Sequence, residues 1–359
     1  MSATRAANRL SNAHIAELLA REAETSGGIL VRAFRRAARS AFLWPQEVVD
    51  LAAQNRPLTD LRAVGPFIAK RIQGWIDTPP SLPPKPPPLR RDFFALADAR
   101  KLLDANPAWA KSLRGDLQMH TRWSDGSGTI AEMADAARQR GYEYIAITDH
   151  SKGLKIAGGI DEAQLKTQVA EIAHVNKSSR RNGANLRVLS SIELNLSPRG
   201  DGDMDPRVLA KLDIVLGSFH SVLRKKEDQT ERYLAALRNP HIQILGHPRG
   251  RIYNYRLGLK ADWSRVFAEA ARLDKALEVD SYPDRQDLNL SLLKIARREG
   301  CRISLGTDAH HPWQLEFIDL GLAAAFKAKI PQDRIINFMS TSQLQAWVAN
   351  VRCRKLRKR

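Results

Sequence analysis

Gly115-Asp116-Leu117-Gln118-Met119-His120-Thr121, followed by Ser124-Asp125-Gly126, decides how the rest of the chain reads. A short apolar strand carries two polar residues two positions apart, Gln118 and His120, and ends on a turn that holds a carboxylate. Residues i and i+2 of a strand face the same side, so both side chains point into one pocket. The pattern returns downstream. Strand-like runs at 144–150, 187–193, 214–220, 243–247 and 302–308 end on Thr148-Asp149-His150, Ser191-Ile192-Glu193, Ser218-Phe219-His220, Gly246-His247-Pro248 and Thr307-Asp308-Ala309-His310. A further strand is expected at 276–281. Amphipathic stretches at 130–140, 162–176, 227–238, 263–273 and 288–298 lie between them. That is an α/β chain of about seven βα units at barrel spacing. A doubly wound open sheet is the alternative, although no glycine fingerprint follows the first strand to support a dinucleotide fold.

Six of the nine histidines (120, 150, 220, 247, 310 and 311) fall at these strand ends, with carboxylates beside them. One histidine at a strand end is more often a hydrogen-bonded structural residue than a ligand. Six at one rim are not independent accidents. In a parallel barrel the C-terminal rim is where loops converge and chemistry occurs. Imidazoles mixed with carboxylates favour zinc, manganese or iron over calcium.

These motifs, in this order, resemble the PHP (polymerase and histidinol phosphatase) domain, in the version fused to the C-terminus of bacterial family-X DNA polymerases. The resemblance covers about 115–325. It implies a distorted, TIM-like (βα)7 barrel that holds metals at three positions and hydrolyses phosphoesters through a metal-bridging hydroxide. Matched position by position, it implies one site from Gln118, His120, Glu193 and Asp308. A second follows from Glu193, His220 and His247, and a third from Asp125, His150 and His310. Gln118 stands where the family usually has histidine, and a neutral amide oxygen is a weaker ligand for borderline metals. Two or three ions, Zn²⁺ or Mn²⁺, are therefore expected. Arg249, Arg251 and Arg285 lie on loops after the fifth and sixth strands and suit a phosphate clamp. Arg251 and Arg285 also match arginines of the similar domains. Asp149 and Asp280 are expected to orient imidazoles from behind.

The N-terminal region is of another kind. Residues 15–22 and 29–42 follow a helical period, with Arg32, Arg35, Arg36 and Arg39 on the outward face. Leu58 to Ile72, including Val64-Gly65-Pro66, resembles a helix-hairpin-helix, in which amides at a helix N-terminus grip a DNA phosphate. Ala63 occupies the place of the usual first glycine. Arg35, Arg36, Gly65, Lys70 and Arg71 are the expected DNA contacts. Residues 10–78 as a whole are similar to the small lyase-type domain at the front of family-X polymerases, and a proline-rich stretch stands where such a polymerase has its palm. Seven prolines between Pro79 and Pro88 read as a stiff spacer. The expected layout is a helical, DNA-binding domain at 1–78, a linker and connecting helix at 79–114, the phosphoesterase barrel at 115–345 and a basic tail at 346–359.

Composition sets the outer bounds. A chain of 359 residues, 43% hydrophobic and 27% charged, fits a globular protein of two domains. Of the net charge of +18, +8 lies in residues 1–115 and +6 in 352–359, leaving +4 on the intervening body. Basic flanks on a near-neutral body favour a polyanionic partner, DNA before membrane. Two cysteines, Cys301 and Cys353, exclude a disulfide framework or a cysteine-rich zinc site. No apolar run approaches the ~20 residues of a membrane span, no secretory h-region is present, and a cytoplasmic location is expected. The expected function is hydrolysis of phosphate esters at or near DNA ends, as a 3′–5′ exonuclease or end-processing phosphatase. A small-molecule phosphatase of the histidinol-phosphate kind and a non-catalytic DNA-binding scaffold are the alternatives.

Overall fold

A computed structural model describes residues 9–81, 85–181 and 185–353. The tail at 354–359 and part of the proline stretch lie outside the described residues. The chain forms two compact units, one of residues 1–105 with Tyr253–Tyr255, the other of 106–252 and 256–359.

The first unit is helical: α1 (Asn12–Thr25), α2 (Gly28–Ala41), α3 (Val48–Ala53), α4 (Pro66–Asp77) and α5 (Leu96–Asp104). Ile15, Leu19, Phe34, Trp44, Val48 and Ile72 fill its core. Ser11 caps α1 by accepting the His14 amide, and His14 Nδ1 accepts the Ser11 amide in return. Ala63 takes a left-handed φ of 63°, so the turn before α4 forms in the conformation a glycine would supply. The expected spacer does not mark the boundary. Beyond the prolines, Arg90 is buried against Glu17 (2.8 and 3.0 Å) and Glu24 (2.6 Å). The Leu96 amide donates to the Phe42 carbonyl (2.8 Å), and Phe93 packs on Phe42. Neutralising Arg90 and burying Leu96 bind 88–104 into the helical unit.

Glu47 carries a pH-dependent contribution to this unit. Its Oε2 accepts the Asn12 amide (2.7 Å), while burial and the nearby Asp98 carboxylate raise its carboxyl from 4.5 to about 7. The folded state thus holds the proton more tightly than the unfolded chain. Its contribution is full below pH 4.5 and is lost as pH rises through about 7. Hydrogen exchange at α1 and α3, corrected for intrinsic rates, is expected to show more protection near pH 5 than near pH 8. Asp98→Asn should shrink that difference, and an unchanged difference would rule out the carboxylate pair as its cause.

The second unit is a closed parallel barrel. Its strands are β1 (Gly115–Asp116), β2 (Tyr144–Ile147), β3 (Arg187–Ser190), β4 (Glu193–Asn195), β5 (Leu216–Ser218), β6 (Ile244–Leu245), β7 (Ala276–Asp280) and β8 (Arg302–Gly306). Sequential neighbours pair in parallel, β1-β2-β3 and β4-β5-β6-β7-β8. Only Ser191 and Ile192 separate β3 from β4, so the two form one broken strand and the barrel has seven staves. Closure comes from Leu117 donating to Leu305 (3.3 Å), Asp308 to Gln118 (3.1 Å) and His120 to Ala309 (2.7 Å). Neighbours in sequential order, joined end to end, exclude the open doubly wound sheet. Strands such as 144–147 and 276–280 are buried along their whole length, as parallel strands covered on both faces are.

Short helical turns aside, the strands alternate with α6 (Ile130–Gln139), α7 (Glu162–Arg181), α8 (Thr230–Arg238), α9 (Trp263–Leu273), α10 (Leu290–Arg298) and α11 (Ile318–Lys327), and α12 (Thr341–Cys353) follows. Tyr144 and Ala146 cluster with Trp347, Val348 and Val351 of α12, while Ile145 and Ile147 face Ile130, Met133 and Ile172. That buried face of α12 explains why 346–353, expected as the start of a basic tail, is helical. No helix among the described residues is long and apolar enough to cross a membrane.

Candidate metal centre

The polar residues that end the strands meet at one rim. Glu193, the first residue of β4, is fully buried and draws four imidazoles to its two oxygens. His220 Nε2 and His247 Nε2 lie 3.1 and 2.8 Å from Oε1, and His150 Nδ1 and His120 Nε2 lie 3.0 and 3.5 Å from Oε2. Asp125, in the turn after β1, lies 3.3 Å from His310 Nε2, 3.6 Å from His150 Nε2 and 4.0 Å from His120 Nδ1. Asp308, after β8, reaches His120 Nε2 at 2.9 Å from a left-handed backbone with φ of 53°. Such a conformation in a non-glycine residue persists only where its surroundings enforce it.

Among the described residues, three groups of potential ligand atoms result, each within 4.8 Å: His120, Glu193 and Asp308; His150, Glu193 and His220; and His120, Asp125, His150 and His310. Compared with the expected sets, His120 and His150 each serve two groups, and His247 joins through Glu193 alone.

The donor set fits divalent cations. Nδ1 of His120, His150 and His247 and Oε2 of Glu193 are buried without a hydrogen-bond partner. His150 Nδ1 and Glu193 Oε2 lie 3.0 Å apart, close enough to share one cation. Burying unpaired polar atoms is costly unless something outside the protein satisfies them. Nitrogen and carboxylate donors together suit zinc or manganese.

Electrostatics sort the acids into two classes. Burial opposes ionisation of Glu193, but the imidazoles of His150 and His220 outweigh it and hold the carboxyl well below its usual range. Asp308 is also burdened by burial, and His120 and Arg285 bring it below the ordinary value. Burial disfavours charge on His310, yet Asp125 and Asp308 raise it to about 9. Glu278 and Asp280 go the other way, lifted by burial and then by nearby carboxylates.

Several expected residues have other tasks. The amide of Gln118 faces the carboxylate of Glu278. Asp149, read as a residue that orients imidazoles, accepts hydrogen bonds from the Thr121 amide and hydroxyl, the Ser124 hydroxyl and the Gln168 amide. It fixes the loop after β1 and touches no imidazole. Asp280 accepts the Tyr282 amide (2.7 Å) and sits 3.7 Å from Arg285. The imidazoles are instead oriented by Asn195 Oδ1 at His220 Nδ1 (3.2 Å) and the Asp308 carbonyl at His310 Nδ1 (2.7 Å). Arg285 Nε lies 3.4 Å from Asp308, and Arg251 Nε donates to the Arg285 carbonyl (2.8 Å). In the helical unit Arg71 pairs with Glu22 and stacks on Trp75, so its charge is already engaged. Arg35, Arg36, Gly65 and Lys70 are exposed.

Sequence reading missed Glu278, Asn195 and Asp116. The last bridges β1 to β8 by accepting the Gln118 and Thr307 amides (both 3.1 Å). Asn195 was findable, two residues beyond Glu193 on the same strand face.

The pattern of the PHP domain family matches residues 116–303 of this chain, more than half of its length. The chain belongs to the PHP domain family. It is 35% identical over 271 residues to the DNA polymerase/3′–5′ exonuclease PolX of Bacillus subtilis, a match covering 74% of this chain and 46% of that protein. The chain thus spans about half the length of that relative. A probable phosphatase of Thermoanaerobacter sp. is 27% identical over 231 residues, covering 62% of this chain and 89% of the phosphatase. Among solved structures, histidinol phosphate phosphatase of Lactococcus lactis, complexed with zinc, L-histidinol and phosphate, aligns with a TM-score of 0.44 at 17% identity, over 61% of this chain and 94% of that one.

Proposed function

We propose that this PHP protein hydrolyses phosphate esters at DNA ends, as a 3′–5′ exonuclease or an end-trimming phosphatase, using two or three Zn²⁺ or Mn²⁺ ions. The observation that carries the metal reading is Glu193, one carboxylate shared by separate ligand groups. His120, Asp125, His150, Glu193, His220, His247, Asp308 and His310 are the residues that would hold the ions. When bound, divalent cations neutralise phosphoryl oxygens and lower the pKa of water. The protein's own part is orientation. Asn195 fixes the ring of His220, Asp149 holds the Thr121–Ser124 loop that precedes Asp125, and Asp116 ties down the Thr307–Asp308 turn. Arg285, partly exposed with its Nε 3.4 Å from the Asp308 carboxylate, is suited to a phosphate oxygen, and Arg251 braces the Arg285 backbone.

The DNA half of the reading rests on the similarity to PolX and on charge. Arg71 is engaged by Glu22, whereas α2 presents Arg32, Arg35, Arg36 and Arg39, all exposed, on one face. Replacing these four with serine is expected to weaken DNA binding on the order of 10²-fold at moderate salt and flatten the salt dependence, since each phosphate contact adds about 0.9 to the slope of log K. Hydrolysis of a small aryl phosphate should be unchanged. Unaltered DNA affinity would remove α2 from the binding surface. A small-molecule phosphatase is the second reading, favoured by the probable phosphatase that is matched over 89% of its own length.

A further inference from the structure

We infer that Gln118 is not a metal ligand: with Glu278 it forms a buried pair that positions His247, an inference that rests on the metal reading above. Both residues are fully buried, one on the first stave and one in the middle of β7. With its amide assigned so that the nitrogen faces Glu278, where the oxygen would meet only acceptors, Gln118 donates to that carboxylate. The other function of Glu278 is at the backbone, where its Oε2 accepts the His247 amide at 2.6 Å.

That hydrogen bond acts at a delicate point. His247 has φ of 20°, outside the ordinary extended and helical regions, and its Nε2 lies 2.8 Å from Glu193 Oε1. An unfavourable backbone whose amide is held by a short hydrogen bond to a buried carboxylate, and whose carbonyl accepts the Gly250 amide (3.0 Å), sets where the imidazole stands. A continuous path therefore runs from the Gln118 amide through Glu278 and the His247 backbone to the imidazole at Glu193.

The recess is built for the pair. A Cβ at Gly306 would fall 2.5 Å from Glu278 Oε1 and 2.7 Å from Gln118 Cβ, so β8 leaves room for the two side chains only by carrying glycine. A side chain enclosed on that side and hydrogen-bonded to a carboxylate is not free to turn its oxygen to a cation. Gln118 at the usual histidine position thus exchanges ligation for positioning, and the His120, Glu193 and Asp308 group stands without a fourth ligand from the first stave.

Gln118→Met, Glu278→Gln and Glu278→Ala separate the two roles. Each variant is stripped and reloaded with Zn²⁺ for elemental analysis, and His247 amide exchange is measured in the stripped protein. Gln118→Met is expected to keep the wild-type number of ions. Glu278→Ala should lose one ion and expose the His247 amide at least tenfold. Glu278→Gln should restore both, because a carboxamide oxygen still accepts that N–H. The inference is overturned if Gln118→Met loses an ion while Glu278→Ala keeps every ion and full His247 protection. Gln118→Met and Glu278→Gln are close in volume to the native residues, so the comparison survives if Glu278→Ala fails to fold. Exchange at His247 needs no metal. A barrel that binds no Zn²⁺ would sink the hydrolase reading, whereas an amide unaffected by any Glu278 change would sink this one.

Discussion

Glu193→Gln should reduce phosphoester turnover by about 10³-fold or more, the largest effect of any single change in the barrel. The carboxylate lies within 3.5 Å of four imidazole nitrogens and belongs to two of the three ligand groups. A carboxamide is neutral and presents one oxygen and one N–H₂, so it satisfies one of those groups at best. Metal content should fall together with turnover, while circular dichroism stays that of the wild type, because the backbone of β4 is held by its ladder to β5. A Glu193→Gln variant with full metal content and undiminished turnover would show that the shared carboxylate is not the hub of the site.

Chelator-stripped protein should lose hydrolysis entirely and unfold about 10 °C lower than the loaded form. Ions present at a thousand times their Kd add roughly 4 kcal/mol to the native state, and for a unit of this size each kcal/mol moves Tm by about 2–4 °C. Uptake should also release protons. With burial working against it, His310 is nonetheless raised to about 9 by Asp125 and Asp308 in the metal-free cluster, so it is charged at neutral pH and must lose that proton to bind an ion. Affinity therefore drops as pH falls. Calorimetric titration in buffers of different ionisation enthalpy measures the release directly. A Tm indifferent to chelation, with no buffer dependence of the heat, would contradict a preformed metal centre.

The convergence of these polar residues at one rim was legible because they obey strand grammar. His120, His150, Glu193, His220, His247 and Asp308 all stand at or just past the ends of apolar runs, and in a parallel barrel those ends face one rim. Glu278 was not legible, since it lies inside the apolar strand Ala276-Leu277-Glu278-Val279-Asp280, where only the barrel's register shows which side is inward. Asp149 misled for a related reason. Adjacent to His150, it points to the opposite face, where Thr121, Ser124 and Gln168 take its oxygens. Local signals also failed at both unit edges. Prolines mark a break in regular structure, but the burial of Arg90 and Leu96 decides where the helical unit ends. The lysines and arginines after 351 drew attention from Leu344, Trp347 and Val351, which pack α12 into the barrel.

One substrate comparison goes to the centre of the matter. The protein, reloaded with Mn²⁺ or Zn²⁺, is given end-labelled DNA with 3′-hydroxyl or 3′-phosphate termini and, separately, L-histidinol phosphate, and kcat/KM is measured for each. Release of nucleotides or phosphate from the DNA ends at a kcat/KM well above that for histidinol phosphate, and its loss in Glu193→Gln, is the expected outcome. Efficient cleavage of histidinol phosphate with DNA left intact would refute the assignment to DNA ends.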